Sequence, residues 1–240
     1  EPYKGYIYDS TGNAVYSPNG FAVDEVINGE SMEVGDLNSP SDLYVDRDNK
    51  EIYITDTGNN RIVVLDYNYK AKRIYSKFNY NGNEELLKNP YCVFVHKNGL
   101  IYIADRDNSR VLISDKSGNV VDIIGKPDTE LISENQSYYP EKIVVDSVGR
   151  LYIQAYGIFQ GLICIDENGS FLQYFGSNKV ELSAALIAEQ LWRSIATREQ
   201  KSAMISFVPI EYSNIFIDPQ DFVYATVKKS QNSREEIKKL

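Results

Sequence analysis

The sequence predicts an all-β protein, a β-propeller of four-stranded antiparallel blades with one inserted α-helix. Three observations predict this fold. Apolar runs follow Pro40, Pro90 and Pro140, which stand 50 residues apart (90 − 40 and 140 − 90). Two further short apolar segments, separated by turn residues, follow each run. A fixed period of this length, with several short strands in every unit, is typical of a propeller.

The composition is that of a globular chain with a packed core, and it disfavours two classes of function. Hydrophobic residues make up 42% of the 240 positions and charged residues 25%. The formal charge of −9 repels phosphate backbones, so nucleic-acid binding is not expected. No apolar run approaches the ~20 residues that span a bilayer, so no membrane helix is expected. The 19 tyrosines suit strands and wet recognition surfaces alike.

Three regular units and one displaced unit account for most of the chain. We place the regular blades at residues 37–86, 87–136 and 137–177. The fourth, at 206–240, is recognisable from "NIFIDPQDFVYATV", in which Asp218 corresponds to Asp146. Their separation is 72 residues (218 − 146), an excess of 22 over the regular period. Near the end of the chain, "REEIKKL" is expected to begin the third strand of this blade.

The excess is a segment at 178–205 that is predicted to be helical. Asn178 followed by Glu181 is a capping-box start. Apolar residues then recur at helical spacing: Ala184, Ile187, Ala188, Leu191, Trp192 and Ile195. The helix is expected to cover a blade edge or the propeller face, or to bind a partner.

Residues 1–36 precede the first full unit. The stretch "KGYIYDSTGNAVYSP" reads as two strands around a Ser-Thr-Gly-Asn turn. Propellers often close by pairing a terminal strand with the last blade, which removes exposed strand edges. This segment is therefore the candidate for closure.

An Asp–Arg pair recurs at the corner of the first two blades. The second strand ends in Asp and Arg opens the third strand five residues later, as Asp56–Arg61 and Asp105–Arg110. The arginine can reach back to that carboxylate or to one such as Asp46, and a bidentate pair would fix the corner. A catalytic motif normally occurs once, whereas a structural unit recurs. We therefore interpret these residues as architectural.

Two segments of the chain resemble NHL repeats: "NSPSDLYVDRDNKEIYITDTGNNRIVVLD" and "NPYCVFVHKNGLIYIADRDNSRVLISDKSGNVV". The third unit departs from the pattern, with Ala155 and Gln160 in place of Asp and Arg, and the fourth has Thr226 near the Asp position. The opening "PYKGYIYDSTGNAVYSPNGF" and the late insertion are similar to a group of bacterial exported NHL proteins. The resemblance implies six blades and export to an extracellular or cell-surface location. A start at Glu1 rather than Met suggests either a trimmed chain or a mature protein whose signal segment has been removed, and the second agrees with export.

Four units cannot close a ring of six. The chain is therefore expected to be a fragment of a longer protein, unless a partner chain such as a second copy supplies the missing blades. Open strand edges would then favour self-association.

The residues offer little for catalysis, and we assign no catalytic residue, metal site or cofactor. The zinc site of the related amidating lyases needs several histidines, whereas His96 is the single histidine here. It occupies the place of Asp46 and Asp146, so a corner role is expected. No G-x-S-x-G motif or phosphate-binding loop is present. The alternative function is a hydrolase or lactonase with a central divalent cation, as in gluconolactonase-type propellers.

The unit that departs from the pattern suggests a binding function. "QAYGIFQG" (154–161) places Tyr156, Phe159 and Gln160 where the other units have Asp and Arg. Aromatic rings with amides suit sugars or peptides, although Phe159 could instead pack against Trp192 of the helix. We predict a non-catalytic binding or scaffold module for a protein, peptide or glycan. Whether Cys92 and Cys164 form a disulfide is left open by the sequence.

Overall fold

The computed structural model describes residues 6–16, 25–132, 135–176, 212–227 and 237–240. Four antiparallel sheets are arranged as successive blades of a β-propeller, which confirms the predicted fold class. The predicted helix at 178–205, including Trp192, lies outside the described residues. Within the described ranges, no helix is long and apolar enough to cross a bilayer.

The N-terminal hairpin consists of β1 (Tyr6–Tyr8) and β2 (Ala14–Tyr16), which pair with each other in a separate two-stranded sheet. The Asp9 carboxylate closes the turn by accepting the backbone N–H groups of Thr11 and Asn13, each at 2.9 Å. Among the described residues neither strand joins a blade. The expected pairing of this segment with the last blade is therefore not observed.

The first two blades are built from four sequential strands each. Blade 1 comprises β3 (Asp42–Asp46), β4 (Glu51–Asp56), β5 (Arg61–Asp66) and β6 (Ala71–Tyr75). A short hairpin of β7 (Phe78–Tyr80) and β8 (Asn83–Glu85) leads into blade 2. Blade 2 comprises β9 (Pro90–Val95), β10 (Ile101–Asp105), β11 (Arg110–Ser114) and β12 (Val120–Ile124). One turn of 3₁₀ helix follows the second strand of each blade, at Thr57–Asn59 and Arg106–Asn108.

Blade 3 repeats the arrangement, and three strands of blade 4 are described. Blade 3 comprises β13 (Tyr139–Val145), β14 (Leu151–Tyr156), β15 (Leu162–Ile165) and β16 (Phe171–Phe175). Blade 4 comprises β17 (Tyr212–Ile217), β18 (Val223–Val227) and β19 (Ile237–Lys239). The third strand expected within "REEIKKL" is present as β19, which pairs with β18.

Side chains alternate between the two faces of each blade, and successive blades stack face to face. One face of blade 1, with Tyr53 and Ile62, packs against Val93 and Ile103 of blade 2. The other face of blade 2 packs against blade 3, and the same apolar cluster continues into blade 4 at Ile215. Each fully buried side chain of this size contributes roughly 1.5–3 kcal/mol, so stacking is the main source of stability.

The carboxylate of Asp56 is completely buried and is held by three donors. Its Oδ2 accepts Nε of Arg61 at 2.6 Å and Nδ2 of Asn59 at 2.8 Å, while its Oδ1 accepts the backbone N–H of Asn38 at 2.7 Å. Asn38 lies in the segment that enters β3. The carboxylate therefore ties the turn between β4 and β5 to the start of the same blade.

Blade 2 carries the same arrangement around the buried Asp105. Arg110 Nε lies 2.7 Å and Asn108 Nδ2 lies 2.8 Å from Oδ2, and the backbone N–H of Lys88 donates to Oδ1 at 2.7 Å. The ion pairs are not bidentate, contrary to expectation. The Nη2 groups of Arg61 and Arg110 donate instead to the backbone carbonyls of Asp36 and Leu86, at 3.3 and 3.1 Å. Each guanidinium therefore donates both to the aspartate carboxylate and to a backbone carbonyl.

The sequence left open whether Asp46 pairs with an arginine and whether Cys92 and Cys164 form a disulfide. The Asp46 carboxylate accepts the backbone N–H and Nδ2 of Asn49, at 3.0 and 2.8 Å, rather than an arginine. Cys92 and Cys164 are free and buried, so they do not form a disulfide. Burial raises the pKa of the Cys92 thiol well above its ordinary value, which keeps it protonated and unreactive.

We predict that Asp105→Ala lowers the free energy of unfolding by about 3 kcal/mol, because Arg110 and the Lys88 N–H group lose a buried partner. Urea unfolding of the full chain measures this loss. Asp48→Ala, at an exposed turn position, is the control and should change stability by less than ~0.5 kcal/mol. Equal effects of the two substitutions would contradict the structural role.

We predict acid sensitivity from Glu51, which is buried near Lys72 (2.5 Å), Arg73 (2.6 Å) and the Tyr53 hydroxyl (2.8 Å). Burial alone would raise its pKa, but these partners outweigh burial and lower the pKa from 4.5 to about 2. A depressed folded-state pKa stabilises the fold above pH 4.5, and this stability is lost as the pH falls toward 2. Glu51→Gln should flatten the dependence of unfolding free energy on pH in this window. Glu84→Gln, which removes an exposed ion pair with Lys77, should leave it unchanged.

Candidate recognition surface

Two sets of repeat-equivalent positions meet at one end of the blades. The residue after each corner Asp is Thr57 in blade 1 and Arg106 in blade 2, and Tyr156 takes the same place in blade 3. The residue after each proline is Ser41, Tyr91 or Glu141, in the same order of blades. In blades 1 and 2 the Asp–Arg corner fixes the backbone beside these positions, and their side chains differ between blades. This end can therefore vary chemically without disturbing the fold.

In blade 1 these positions hold small hydroxyl side chains, which form hydrogen bonds within the protein. The hydroxyl oxygens of Ser41 and Thr57 lie 2.6 Å apart, and the Thr57 hydroxyl donates to the carbonyl of Pro90 at 2.8 Å. Ser41 also donates to the carbonyl of Tyr91 at 2.8 Å. The pair thus connects blade 1 to the backbone of blade 2.

In blades 2 and 3 the same positions form a cluster around Arg106. The guanidinium carbon lies 5.4 Å from the ring centroid of Tyr91, 5.2 Å from that of Tyr139 and 5.8 Å from that of Tyr156. All three distances are within the range of cation–π attraction. We call Tyr91, Arg106, Tyr139, Glu141 and Tyr156 the tyrosine–arginine surface.

Two carboxylates orient the guanidinium. Arg106 Nε lies 3.0 Å from Glu141 Oε1, and Nη1 lies 2.9 Å from Asp107 Oδ1. Burial lowers the pKa of Arg106, but the two ion pairs more than offset that effect and raise it. The cation is therefore permanent. With one positive and two negative charges, the cluster is not a simple anion site.

Of the binding residues predicted from the sequence, one belongs to the tyrosine–arginine surface and the others do not. Tyr156 is 50% exposed and belongs to the tyrosine–arginine surface. Phe159 and Gln160 are also exposed, and the Gln160 side-chain oxygen accepts the Phe159 backbone N–H at 3.1 Å. This local bond orders the loop. Trp192 lies outside the described residues.

Sequence reasoning missed four residues of the surface: Tyr91, Arg106, Tyr139 and Glu141. A signal was available for three of them, because Tyr91, Arg106 and Glu141 occupy repeat positions where the blades differ. A position that differs between blades, beside a corner that blades 1 and 2 share, is the better indicator of recognition.

A cavity of about 710 Å³ lies between the innermost strands of all four blades. Asp42, Cys92, Lys142 and Asn214 occupy equivalent positions there, one on each blade. Lys142 Nζ lies 2.6 Å from Asp42 Oδ1, although the two residues belong to blades 3 and 1. The other carboxylate oxygen accepts the Val93 N–H at 3.2 Å. Asp42 is thus neutralised by a resident ammonium group.

His96 lies at the turn where other blades have aspartate. Its Nε2 is 3.1 Å from the carbonyl of Asp146, and its Nδ1 is 3.4 Å from the backbone nitrogen of Asn98. A neutral ring with its proton on Nε2 satisfies both contacts. Both contacts are to backbone atoms of turns, as a corner role requires. The described part of the chain contains no group of three His, Cys, Asp or Glu residues placed to hold a metal ion.

Comparison with known proteins gives one family match. Residues 37–65 match the NHL repeat. A curated relative, protein SUPPRESSOR OF QUENCHING 1, chloroplastic, from Arabidopsis thaliana, is 26% identical over 194 residues. The match covers 73% of this chain and 17% of the plant protein, so the chain corresponds to a small part of that relative.

Solved structures with a similar arrangement are distant in sequence. Kuenenia stuttgartiensis hydrazine synthase has a TM-score of 0.51 at 12% identity, covering 92% of this chain and 49% of that one. Virginiamycin B lyase from Staphylococcus aureus has a TM-score of 0.48 at 13% identity, covering 98% of this chain and 61% of that one. A Xanthomonas campestris gluconolactonase has a TM-score of 0.49 at 17% identity, covering 92% of this chain and 61% of that one. The chain spans less than two thirds of each structure, and the likeness to hydrazine synthase concerns the fold alone.

We predict that Arg106→Ala lowers the free energy of unfolding by about 1–2 kcal/mol, because Glu141 and Asp107 lose their partner. Tyr156→Ala should cost less than ~0.5 kcal/mol, since half of that side chain is exposed. Urea unfolding of both variants tests the difference. If Tyr156→Ala were as destabilising as Arg106→Ala, the ring would belong to the core and not to a recognition surface.

Proposed function

We propose a binding function for this chain, which belongs to the NHL-repeat β-propeller proteins. In this proposal the tyrosine–arginine surface recognises a protein or peptide without catalysis. The supporting observation is Arg106, which lies 5.2–5.8 Å from three tyrosine rings at the end of two rigid blades. The blades act as the scaffold and the variable end positions supply the specificity.

The residue types favour a protein or peptide over a glycan. Arginine and tyrosine are among the residues that dominate binding energy at protein interfaces. A tyrosine ring offers a large contact area and loses little conformational entropy when it is fixed. The half-exposed Tyr156 provides that area, and Arg106 beneath it is already ordered by Glu141 and Asp107. Little ordering remains to be done when a partner binds.

The charge of the chain indicates which peptides are favoured. The net charge of −9 attracts basic partners over a long range and repels acidic ones. At the surface itself, Arg106 is balanced by Glu141 and Asp107. We therefore propose a ligand with an aromatic or aliphatic residue to cover Tyr156 and basic residues beside it.

The alternative, a hydrolase with a central divalent cation, has weaker support. Such a cation needs carboxylate oxygens that are not already neutralised. The axial carboxylate, Asp42, is paired with Lys142 and bonded to the Val93 N–H. A cation would have to displace the lysine. Export and an extracellular location stay predictions that rest on the resemblance to exported NHL proteins.

We predict that a random peptide library displayed on phage yields binders of the full chain that carry aromatic and basic residues. Tyr156→Ala should weaken these binders at least tenfold, about 1.4 kcal/mol, because the main exposed ring is lost. Fluorescence titration of synthetic peptides measures the change.

Arg47→Ala is the matched control. It removes an exposed cation at the turn that follows β3, away from the tyrosine–arginine surface, and should leave affinity unchanged. A glycan array run in parallel separates the two ligand classes. Binding of glycans alone, or peptides that bind Tyr156→Ala as tightly as the wild type, would contradict the proposal.

A further inference from the structure

Gln154 is a buried polar side chain beside the tyrosine–arginine surface. It is 4% exposed, and its amide oxygen has no hydrogen-bond partner among the described residues. Its repeat equivalents are Thr55 in blade 1 and Ala104 in blade 2, so the repeat does not require a long amide at this position. A buried acceptor without a donor costs free energy, and a ligand that supplies the donor would recover it.

Glu141 lies between this amide and Arg106, and only one of its carboxylate oxygens has a close donor in the described part of the chain. Oε1 lies 3.0 Å from Arg106 Nε. Oε2 lies 3.5 Å from Gln154 Nε2, which is long for an N–H···O bond. The unpartnered oxygen of Gln154 is on the same amide group as that nitrogen. Two acceptors that lack a close donor therefore lie side by side, and the Glu141 side chain, 18% exposed, connects them to the surface.

The charges around these two acceptors favour a cation. Arg106 is positive, whereas Glu141 and Asp107 are both negative. Lys142, which faces the glutamine in the pairing of β13 with β14, lies 2.6 Å from Asp42, so this second pair of charges cancels. One negative charge is left over, and a single ligand cation would neutralise it.

We propose that Glu141 Oε2 and Gln154 Oε1 bind a primary ammonium group, supplied by a lysine side chain or by the amino terminus of a peptide. We call these two residues the ammonium subsite. This inference rests on the proposed function and adds to it which cation the ligand carries and which residues hold it. An ammonium group is compact and directs three N–H donors at separate acceptors. A guanidinium prefers both oxygens of one carboxylate, and Glu141 Oε1 is already held by Arg106.

Arg106 connects the ammonium subsite to the exposed ring of Tyr156. Its guanidinium carbon lies 5.8 Å from the centroid of that ring, and its Nε lies 3.0 Å from Glu141. An extended peptide advances about 3.5 Å per residue. An aromatic residue against Tyr156 and a lysine one or two positions away can therefore bind together in one ligand.

NMR titration of the isotope-labelled full chain tests the proposal with acetyl-Phe-Lys-amide and with n-butylammonium chloride. The spectra record the side-chain amide signals of Gln154, which are assigned from their loss in Gln154→Met. Both probes should shift these signals, because the ammonium group donates to the amide oxygen. Acetyl-Phe-norleucine-amide lacks the ammonium group and should leave them in place, and acetyl-Phe-Arg-amide should bind at least tenfold more weakly than the lysine probe. Phe-norleucine-amide, which has a free amino terminus, shows whether the α-ammonium group enters the subsite as well.

Gln154→Met separates binding from folding. The substitution keeps the size of the side chain and removes the acceptor, so the lysine probe should bind at least tenfold more weakly, as followed through the backbone amide signal of Tyr156. Urea unfolding should show no loss of stability, because the amide oxygen has no partner to lose. Gln173→Met makes the same change at an exposed position on β16 and should leave affinity unchanged. Glu141→Gln, which removes the negative charge, should weaken the lysine probe at least tenfold as well.

Two results would overturn the proposal: equal affinity for the lysine and norleucine probes, or a Gln154→Met chain that binds the lysine probe as tightly as the wild type. If peptides bind through Tyr156 without any dependence on lysine or on Gln154, the ammonium subsite is wrong and the peptide-binding proposal stands. If no peptide binds but n-butylammonium shifts the Gln154 signals, the subsite stands and the peptide-binding proposal is wrong.

Discussion

The buried carboxylate at the blade corner is the constraint on which the first two blades depend. Asp56 and Asp105 are fully removed from water, and a buried charge without partners would cost several kcal/mol. The arginine, the asparagine and the backbone N–H of the entering chain must therefore be in place together. This requirement fixes the turn, the start of the third strand and the entry into the blade at once. The next residue along the chain is then held in one position, whatever its chemistry.

That fixed position explains how a structural repeat can carry a recognition surface. In blade 1 it holds Thr57, which bonds to a neighbouring backbone carbonyl, and in blade 2 it holds Arg106, which lies among tyrosines. Blade 3 has Ala155 instead of the corner aspartate, so its turn is not clamped in this way. Completely buried residues such as Ile153 and Leu162 anchor its strands instead. Tyr156 can therefore lie toward blade 2 and contribute its exposed ring to the same surface.

Stacking accounts for the remaining organisation, since each blade has two apolar faces and needs a neighbour on both. Blades 2 and 3 have such neighbours, and their core positions are almost fully buried. Blades 1 and 4 each have one uncovered inner face, where the same kinds of residue meet solvent. The axial contact of Lys142 with Asp42 crosses blade 2 and adds an electrostatic link between blades that do not stack on each other. Periodic burial and this ion pair thus help to hold the blades around a common axis.

The sequence by itself determined the features that are local or periodic. The 50-residue spacing gave the number and order of strands, and the five-residue spacing of Asp56 and Arg61 placed them across one turn. The departure of blade 3 at Ala155 was visible for the same reason. Only the tertiary structure decided which side chains meet across blades. Tyr91, Arg106 and Glu141 are separated by 15 and 35 residues (106 − 91 and 141 − 106), and Lys142 and Asp42 by 100 (142 − 42). It also decided that each corner arginine donates to a backbone carbonyl as well as to its aspartate, because that carbonyl comes from a distant segment. Arg110 donates in addition to the Glu85 carboxylate. Such contacts depend on how the sheets stack, and the spacing of residues along one chain does not specify stacking.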